Sequence, residues 1–482
     1  MKQLFWVTFG SVGRNLLTVL LLSLLLPGKA QWLSQANYDL SLSGTIGSGE
    51  YAPFWMHQGR RGTQLYLPDA MHLHGGVVRE YRDTTRAWDL GFGVNAWART
   101  ARDTADILIE ELYVKARFQF LELSVGSRAF RTGIEHEQLS NGGFLFSGNA
   151  LPLPGITAGF DRFVTIPYSF GYLQVKGAMT HAWFTDQQGY KNEWLHHKYI
   201  HFLLGEPLPV RLHARLDHIA QWGGQSMRPG LPDHPSGLSA FFSVFMAQSG
   251  GADAISTDQT NVLGNHIISQ SAKLEADLGE WQASAYWQMI LEDNPLRLMG
   301  FTMNAPDGLW GMTLHHNNFD WVQTILYEYF NSTDQSGNYH DRDGIVYGGA
   351  DNYFVGVYPR GWSHQGNTIG TPFIPSPVYA PGMPVDSLAN RVRAHHIGVE
   401  GGHGAFRYRL LASYVNNYGK VGMPVHQVVK KSQQYYLLDM SYSLSRWPGF
   451  VVGLAVGLDR GEVTGNTTGL QFSLRKTGLL SK

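Results

Sequence analysis

The stretch "VRLHARLDHI", Val210 to Ile219, alternates for most of its length. Val210, Leu212, Ala214 and Leu216 fall on one side, and Arg211, His213, Arg215 and Asp217 on the other. A period of two residues is the signature of a strand with one apolar and one polar face. The same rhythm runs through "AWDLGFGVNAWAR" (87–99), "EWQASAYWQMIL" (280–291) and "FVVGLAVGLDRG" (450–461). A soluble sandwich would alternate too, so the fold turns on how the strands are spaced.

Reading outward gives strands near 38–43, 71–81, 87–99, 107–117, 120–128, 161–166, 170–183, 195–204, 209–221, 265–278, 281–292, 307–315, 319–332, 390–401, 404–416, 432–444, 449–460 and 466–476, about 18 in all. Most have the length that a tilted transmembrane strand needs. Every second connection is a tight turn, such as "RDTT", "GEPLP", "GHGA" and "SRWP". The other set holds all the long ones, at 44–70, 129–160, 222–264 and 333–389. Short turns at one rim and long loops at the other predict an all-β, antiparallel transmembrane barrel of about 18 strands, with both termini at the short-turn rim and long extracellular loops over the mouth. A charge on the lipid face at mid-bilayer costs about 2–4 kcal/mol, so that face should be clean. Val210 to Leu216 and Trp281 to Leu291 are clean on one side. Arg211, Arg215 and Asp217 are expected in the lumen beside Lys273, Glu275 and Asp277 of the next strand, and Trp281, Tyr435 and Tyr436 in an interfacial girdle.

Composition agrees. Of 482 residues only 16% are charged, 13% are aromatic and 56 are glycine, with a formal net charge of -1. So weak a field gives no reason to expect nucleic acid. Lys2 and Arg14 precede an apolar run, Leu16 to Leu26, that suits a signal peptide but is too short to span a bilayer. Residues 1–30 are therefore read as a signal and 31–482 as one barrel domain. There is no cysteine, so an exported chain of this size depends on a continuous hydrogen-bonded framework. The single helical hint is "SGLSAFFSVFMAQSGG", with Leu238, Phe241, Phe242, Phe245 and Met246 on one face and Ser236 as cap.

The long loops are rich in rings. "YAPFWMHQGRRG" (51–62) lies in the first, "SNGGFLFSGNALPLPG" (140–155) in the second, and "NYFVGVYPRGWSHQGNTIGTPFIPSP" (352–377) in the longest. Aromatic faces can pack on the C–H faces of sugars while neighbouring amides and guanidinium groups bind hydroxyls; the same rings can instead pack on each other and close the mouth. Trp55, Tyr353, Tyr358, Arg360, Trp362, His364 and Asn367 are the carbohydrate-binding candidates. The pairs His196–His197, His315–His316 and His395–His396 point to opposite faces and cannot share an ion, while His72 and His74 share a face; no metal or cofactor is expected. A glycosidase needs two neighbouring carboxyl groups. Alternation puts Glu110 and Glu111 on opposite faces, leaving Glu135 with Glu137 and Glu292 with Asp293 as pairs that could converge.

The blocks "PFWMHQGRRG", "SGNALPLPGITAG", "WLHHKYIHFLLG", "DHIAQWGG", "LEDNPLRLMGFTMNAPDGLWG", "ILYEYFNSTDQSG", "DNYFVGVYPRGWSHQGNTIGTPF" and "NRVRAHHIGVEGG" resemble, in that order, those of the Wzi-type capsule assembly proteins, in a version similar to that of Bacteroidetes-like bacteria. The resemblance runs over nearly the whole chain after residue 30. It implies an 18-stranded outer-membrane barrel, occluded and non-enzymatic, acting as a surface lectin that binds and organises capsular polysaccharide. Outer-membrane lipid and the capsule export machinery are the partners it implies. Enterobacterial relatives carry a helical bundle at the periplasmic end that is not legible here, and the chain ends in "LRKTGLLSK" rather than a terminal Phe. A diffusion porin and a surface polysaccharide hydrolase are the competing readings.

Overall fold

The computed structural model describes residues 35–480, except 82–85, 103, 131–132, 161, 231, 261, 293–306, 336–339, 343–344, 348–351, 380–388 and 421–427. The signal segment 1–30 lies outside the described residues. The strands are Asn37–Ser48 (β1), Ala70–Arg79 (β2), Trp88–Ala101 (β3), Thr104–Phe118 (β4), Leu121–Ser127 (β5), Pro154–Phe160 (β6), Leu173–Trp183 (β7), Trp194–Leu204 (β8) and Val210–Trp222 (β9). They continue with Asn265–Leu278 (β10), Trp281–Glu292 (β11), Gly308–His316 (β12), Thr324–Asn331 (β13), Val392–His403 (β14), Phe406–Asn417 (β15), Lys431–Ser443 (β16), Phe450–Gly461 (β17) and Thr467–Leu479 (β18). Each pairs antiparallel with its neighbours, and β1 pairs with β18 from Asn37 opposite Leu479 to Ser48 opposite Thr468. The sheet closes on itself as an 18-stranded barrel with no free edge.

Side chains sort as alternation predicts. Val210, Leu212, Ile200, Leu410, Leu438, Leu470 and Phe472 stand exposed on the outer face. Arg211 reaches across the register to Asp277 (2.5 Å) and Glu275 (3.4 Å) in the lumen. Trp281 and Tyr436 face outward, but Tyr435 is buried inside, stacked on Phe54 at 3.9 Å between ring centroids. Adjacent residues of one strand cannot both join a girdle.

Two local rules were broken. The sixth strand is Pro154–Phe160, not 161–166; Val164–Thr165 only adds a two-residue piece to β7. Proline is tolerated as the first residue of a strand. Glycine is required at Gly159, where a Cβ would meet the Ala178 Cβ at 2.4 Å. Loop-like residues thus hide a strand that passes close to its neighbour. In β4 the register with β3 jumps from Asn95 opposite Glu111 to Ala96 opposite Ile109, leaving Glu110 as the extra residue of a bulge. The bulge turns both Glu110 and Glu111 to the same interior cavity, against the expectation of opposite faces.

Inside, the barrel is filled from the long-loop rim. Phe54–His57 (α1), in the first loop, is buried against β16 and β17. Leu238–Met246 (α2) and Ser256–Thr260 (α3) lie in the 223–264 connection. Ser236 makes no cap; Gly237 holds that position without a side-chain bond. Among the described residues no helical bundle stands at the short-turn rim.

Candidate functional site

The mouth is closed by chain segments that bond to the wall through single, buried acceptors. In the first loop, the Phe54 N–H donates to Asp459 Oδ2 (2.8 Å), and Trp55 Nε1 donates to Ser413 Oγ (3.0 Å). Pro53 sits where only glycine leaves room: a Cβ on Gly457 would meet the Pro53 Cβ at 2.5 Å. In the second loop, Glu328 on β13 accepts from Ser140 Oγ (2.5 Å), the Asn141 N–H (2.9 Å) and Asn141 Nδ2 (2.6 Å), and from Tyr286 Oη. Gln288 on β11 accepts from the Phe144 N–H (2.9 Å) and donates to Glu135 (2.7 Å). Burial pushes the Glu135 carboxyl above its ordinary range. His396 Nε2 meets the Leu139 carbonyl at 2.7 Å.

The longest loop is tied to the others. The Ser147 N–H donates to the Ile369 carbonyl (3.0 Å), and the Thr371 N–H to the Phe144 carbonyl (3.0 Å). Phe144 meets Phe330 and Tyr353 edge-on, at 4.9 and 5.7 Å. One apolar core therefore includes wall residues and residues of three loops.

Six of the seven sugar-binding candidates lie inside this assembly. Trp55 is held by β15. Trp362 donates Nε1 to the Leu145 carbonyl (2.8 Å), and Tyr358 donates Oη to the Gly223 carbonyl (3.0 Å). Arg360, fully enclosed, donates Nε to Glu193 (2.7 Å) and Nη1 to Asp186 (2.6 Å), with its guanidinium over Phe184. Burial raises the Glu193 carboxyl to about 7 against the pull of Arg360. His364 bonds the Leu151 carbonyl and Thr185 Oγ1, and burial holds its ring below the ordinary imidazole range. Tyr353 packs against Phe144 with no exposed surface. Asn367, on a hairpin with Ser363–His364, is half-buried. The structure joins Trp55, Tyr353 and Trp362 in one apolar core, Trp55 meeting Phe373 of the longest loop at 5.9 Å between ring centroids. The burial turns none of the rings of Tyr353, Tyr358 or Trp362 outward.

What remains at the surface of the loops is different. Tyr51, Tyr66 and Tyr379 are half-buried, and Tyr51 stands beside both of the others, with ring centroids 6.1 Å (Tyr51–Tyr66) and 5.0 Å (Tyr51–Tyr379) apart. Tyr379 Oη is fixed from below by His57 Nε2 (2.5 Å) and Gln58 Nε2 (3.0 Å). Burial drives His57 down to about 4, so it is neutral at pH 7. Sequence reasoning missed this cluster because only Tyr51 lies in a ring-dense block, while Tyr66 and Tyr379 stand singly outside those blocks.

Under the loops lies a cavity of about 1240 Å³. It runs from rim residues such as Tyr38, Asp39 and Thr477 up to Arg60, Arg61 and Leu151 of the loops. Its carboxylates are engaged. Glu110 accepts from Arg61 Nε (2.5 Å) and Trp97 Nε1 (2.8 Å), and Glu111 from Asn95 Nδ2 (2.7 Å) and the Ala129 N–H (2.7 Å). Of the other carboxylate pairs, Glu135 turns to Gln288 while Glu137 is exposed. Glu292, by its side chain, and Asp293 lie outside the described residues. His72 and His74 both face the lumen, His74 stacked on Trp97.

No protein-family model matches the chain, and no curated protein matches it. Among solved structures it is similar to Wzi of Escherichia coli, an outer-membrane protein involved in group 1 capsule assembly and a carbohydrate-binding β-barrel, with 13% identity, 98% of this chain and 89% of that chain covered, and a TM-score of 0.58. Weaker likenesses link it to OccAB2 of Acinetobacter baumannii (8% identity, 93% and 99% covered, TM-score 0.47) and OccK5 of Pseudomonas aeruginosa (8%, 92% and 98%, 0.47). The closed 18-stranded sheet, its exposed apolar belt and the Wzi-like fold together place the chain in the outer membrane as a β-barrel.

Proposed function

We propose that the chain is a surface lectin, its long loops facing outward, which binds and organises capsular polysaccharide and is neither an enzyme nor an open pore. The observation that carries this reading is the bonding of three long loops into one body within the mouth. A diffusion channel has no use for such a body, whereas a polymer-binding surface needs its contacts held rigid. The sugar face is Tyr51, Tyr66 and Tyr379, with Asn367 and the exposed Gln365 as hydroxyl-binding amides. The buried candidates Tyr353, Tyr358, Arg360, Trp362 and His364 act beneath it by fixing the loops, and Trp55 by fixing the first. Residues 1–30 serve as a cleaved signal, and the export machinery is the proposed partner that delivers polymer. The Wzi likeness supports the ligand class, and the hydrogen-bonded state of Glu110 and Glu111 argues against a hydrolase.

The refolded barrel should bind purified capsular polysaccharide, and Tyr51→Ala with Tyr66→Ala should weaken binding about tenfold or more, the size expected for losing aromatic contacts of about 1 kcal/mol each. Deleting the protein should strip capsule from cells that still make and export polymer. Unchanged cell-bound capsule, together with no binding in solution, would end this reading. The cavity favours a second one, a diffusion porin. Steady conductance of the intact protein in planar bilayers would establish it.

A further inference from the structure

The outer face of β7 to β10 is not clean near the long-loop rim. His181, His196, Lys198, His218 and His266 share the parity of Met179, Ile200 and Leu212, which are exposed to the membrane. A tilted strand crosses the apolar layer in about 9–11 residues. Counted from Leu204 at the short-turn rim, Lys198 is the seventh residue of β8; counted from Val210, His218 is the ninth of β9. A bare wall would set Lys198 and three of the imidazoles, His181, His196 and His218, at hydrocarbon depth, where charged groups are costly.

Helix α2 covers them. Phe241 lies over His181, His196 and Trp222, with ring centroids 5.9, 5.8 and 5.9 Å apart, and Phe245 over His196 at 5.4 Å. Ala240 and Val244 are buried with Ala220 and Trp222. Lys198 Nζ donates to the Phe245 carbonyl at the C-terminal end of the helix and stands 3.9 Å from the Phe245 ring centroid. A cation there meets orphan carbonyls and the negative end of the helix dipole. Among the described residues, neither ring nitrogen of His196 has a hydrogen-bond partner beneath this cover.

The far side of the helix is also apolar. Leu238, Phe242 and Met246, spaced at i, i+4 and i+8, are 80%, 61% and 58% exposed. Seven of the nine helix residues are apolar, and a helix that is apolar all round belongs in a core or a membrane. This stripe continues the lipid-facing belt of Ile200, Phe202 and Leu212 over a place where the wall itself is polar. We infer that α2 is a piece of membrane-facing wall supplied by a loop: it seals the histidine–lysine patch from lipid and presents Leu238, Phe242 and Met246 to the acyl chains of the leaflet at the long-loop rim.

The chain has no cysteine, so single labelled sites are clean. Phe242→Cys carrying a bimane fluorophore, in the full-length protein reconstituted into phosphatidylcholine vesicles, should be quenched by doxyl-labelled lipid to within about twofold of a Leu212→Cys control, since both then lie in the acyl-chain region. Lys191→Cys, exposed in a loop beyond the wall, should be quenched far less. Heat-modifiable gel mobility checks that each variant is folded. Weak quenching at 242 with water-like emission would overturn the proposal. So would weak quenching with apolar emission, which would place the stripe against protein, either this chain or a second copy of it. If Phe242→Cys fails to fold, Met246→Cys carries the same test.

Discussion

The two halves of the lumen share one wall rhythm and are filled in opposite ways. Along β11 to β17, lumenal positions carry Gln288, Glu328, His396, Ser413 and Asp459, and each captures a group from an incoming loop. Along β4 to β7, several lumenal positions are small, as at Ser124, Gly126, Gly155, Thr157 and Ala178, and larger groups bond one another, as Arg128 does Glu122 (2.6 Å). One side is therefore solid and the other holds the cavity. On the solid side loop capture is specified by polar residues placed singly on the wall; on the cavity side Glu110 and Glu111 still hold Arg61 and the Ala129 N–H, and the small residues around them leave the space.

The largest break in this contrast should come from Trp362→Ala. Removing a fully buried indole that also bonds Leu145 should cost about 3–5 kcal/mol. The loss belongs to the loop body, so hydrogen exchange over 353–374 should speed up while the strands stay protected and heat-modifiable mobility is kept. Exchange rising equally in the wall would show that plug and barrel are one cooperative unit. A matched pair then sharpens the contrast. Ala394→Phe, at a lumenal site with no exposure, should destabilise by about 1–3 kcal/mol through overpacking. Thr157→Phe, beside the cavity, should be close to neutral. Chemical denaturation of both variants in detergent is the measurement; equal losses would mean that the cavity is not real space.

The barrel was legible because its evidence is local. Alternation in "VRLHARLDHI" and the parity of turn lengths are both read within a few residues. Exceptions came where a single residue changes the rule. Gly155 and Gly159 made β6 look like loop, and the extra residue at Glu110 reversed a face without any mark in "LIEEL". The interior was only half legible. Dense aromatics announced packing, but Phe54 finds its acceptor 405 residues away at Asp459, and no local pattern names such a partner. The helix at 238–246 was visible, but its apolar residues serve two surfaces: Phe241 and Phe245 turn to the wall, Phe242 and Met246 away from it.

The most local effect expected is a pH dependence of one corner of the solid half. Asp307, just before β12, accepts from Asn331 Nδ2 (2.8 Å) and from the Asp334 and Gln335 N–H groups (3.0 and 2.8 Å), and so holds the start of the longest loop. These bonds favour the carboxylate, yet burial outweighs them and raises the group to about 7, with the nearby Asp334 charge adding to the rise. A carboxyl raised on folding binds its proton more tightly in the folded state. Its contribution is therefore complete below the ordinary value near 4 and is lost as pH rises through about 7. Amide exchange at 331–335, corrected for intrinsic rates, should show local stability falling across that window, by at most about 1.4 kcal/mol per pH unit. In Asp307→Asn the same amides should lose this slope, because an amide cannot titrate. The difference between the two profiles isolates Asp307 from Glu193, which is raised by the same cause elsewhere in the loops. A slope that survives the substitution would move the titration to another buried carboxyl and leave Asp307 a simple acceptor.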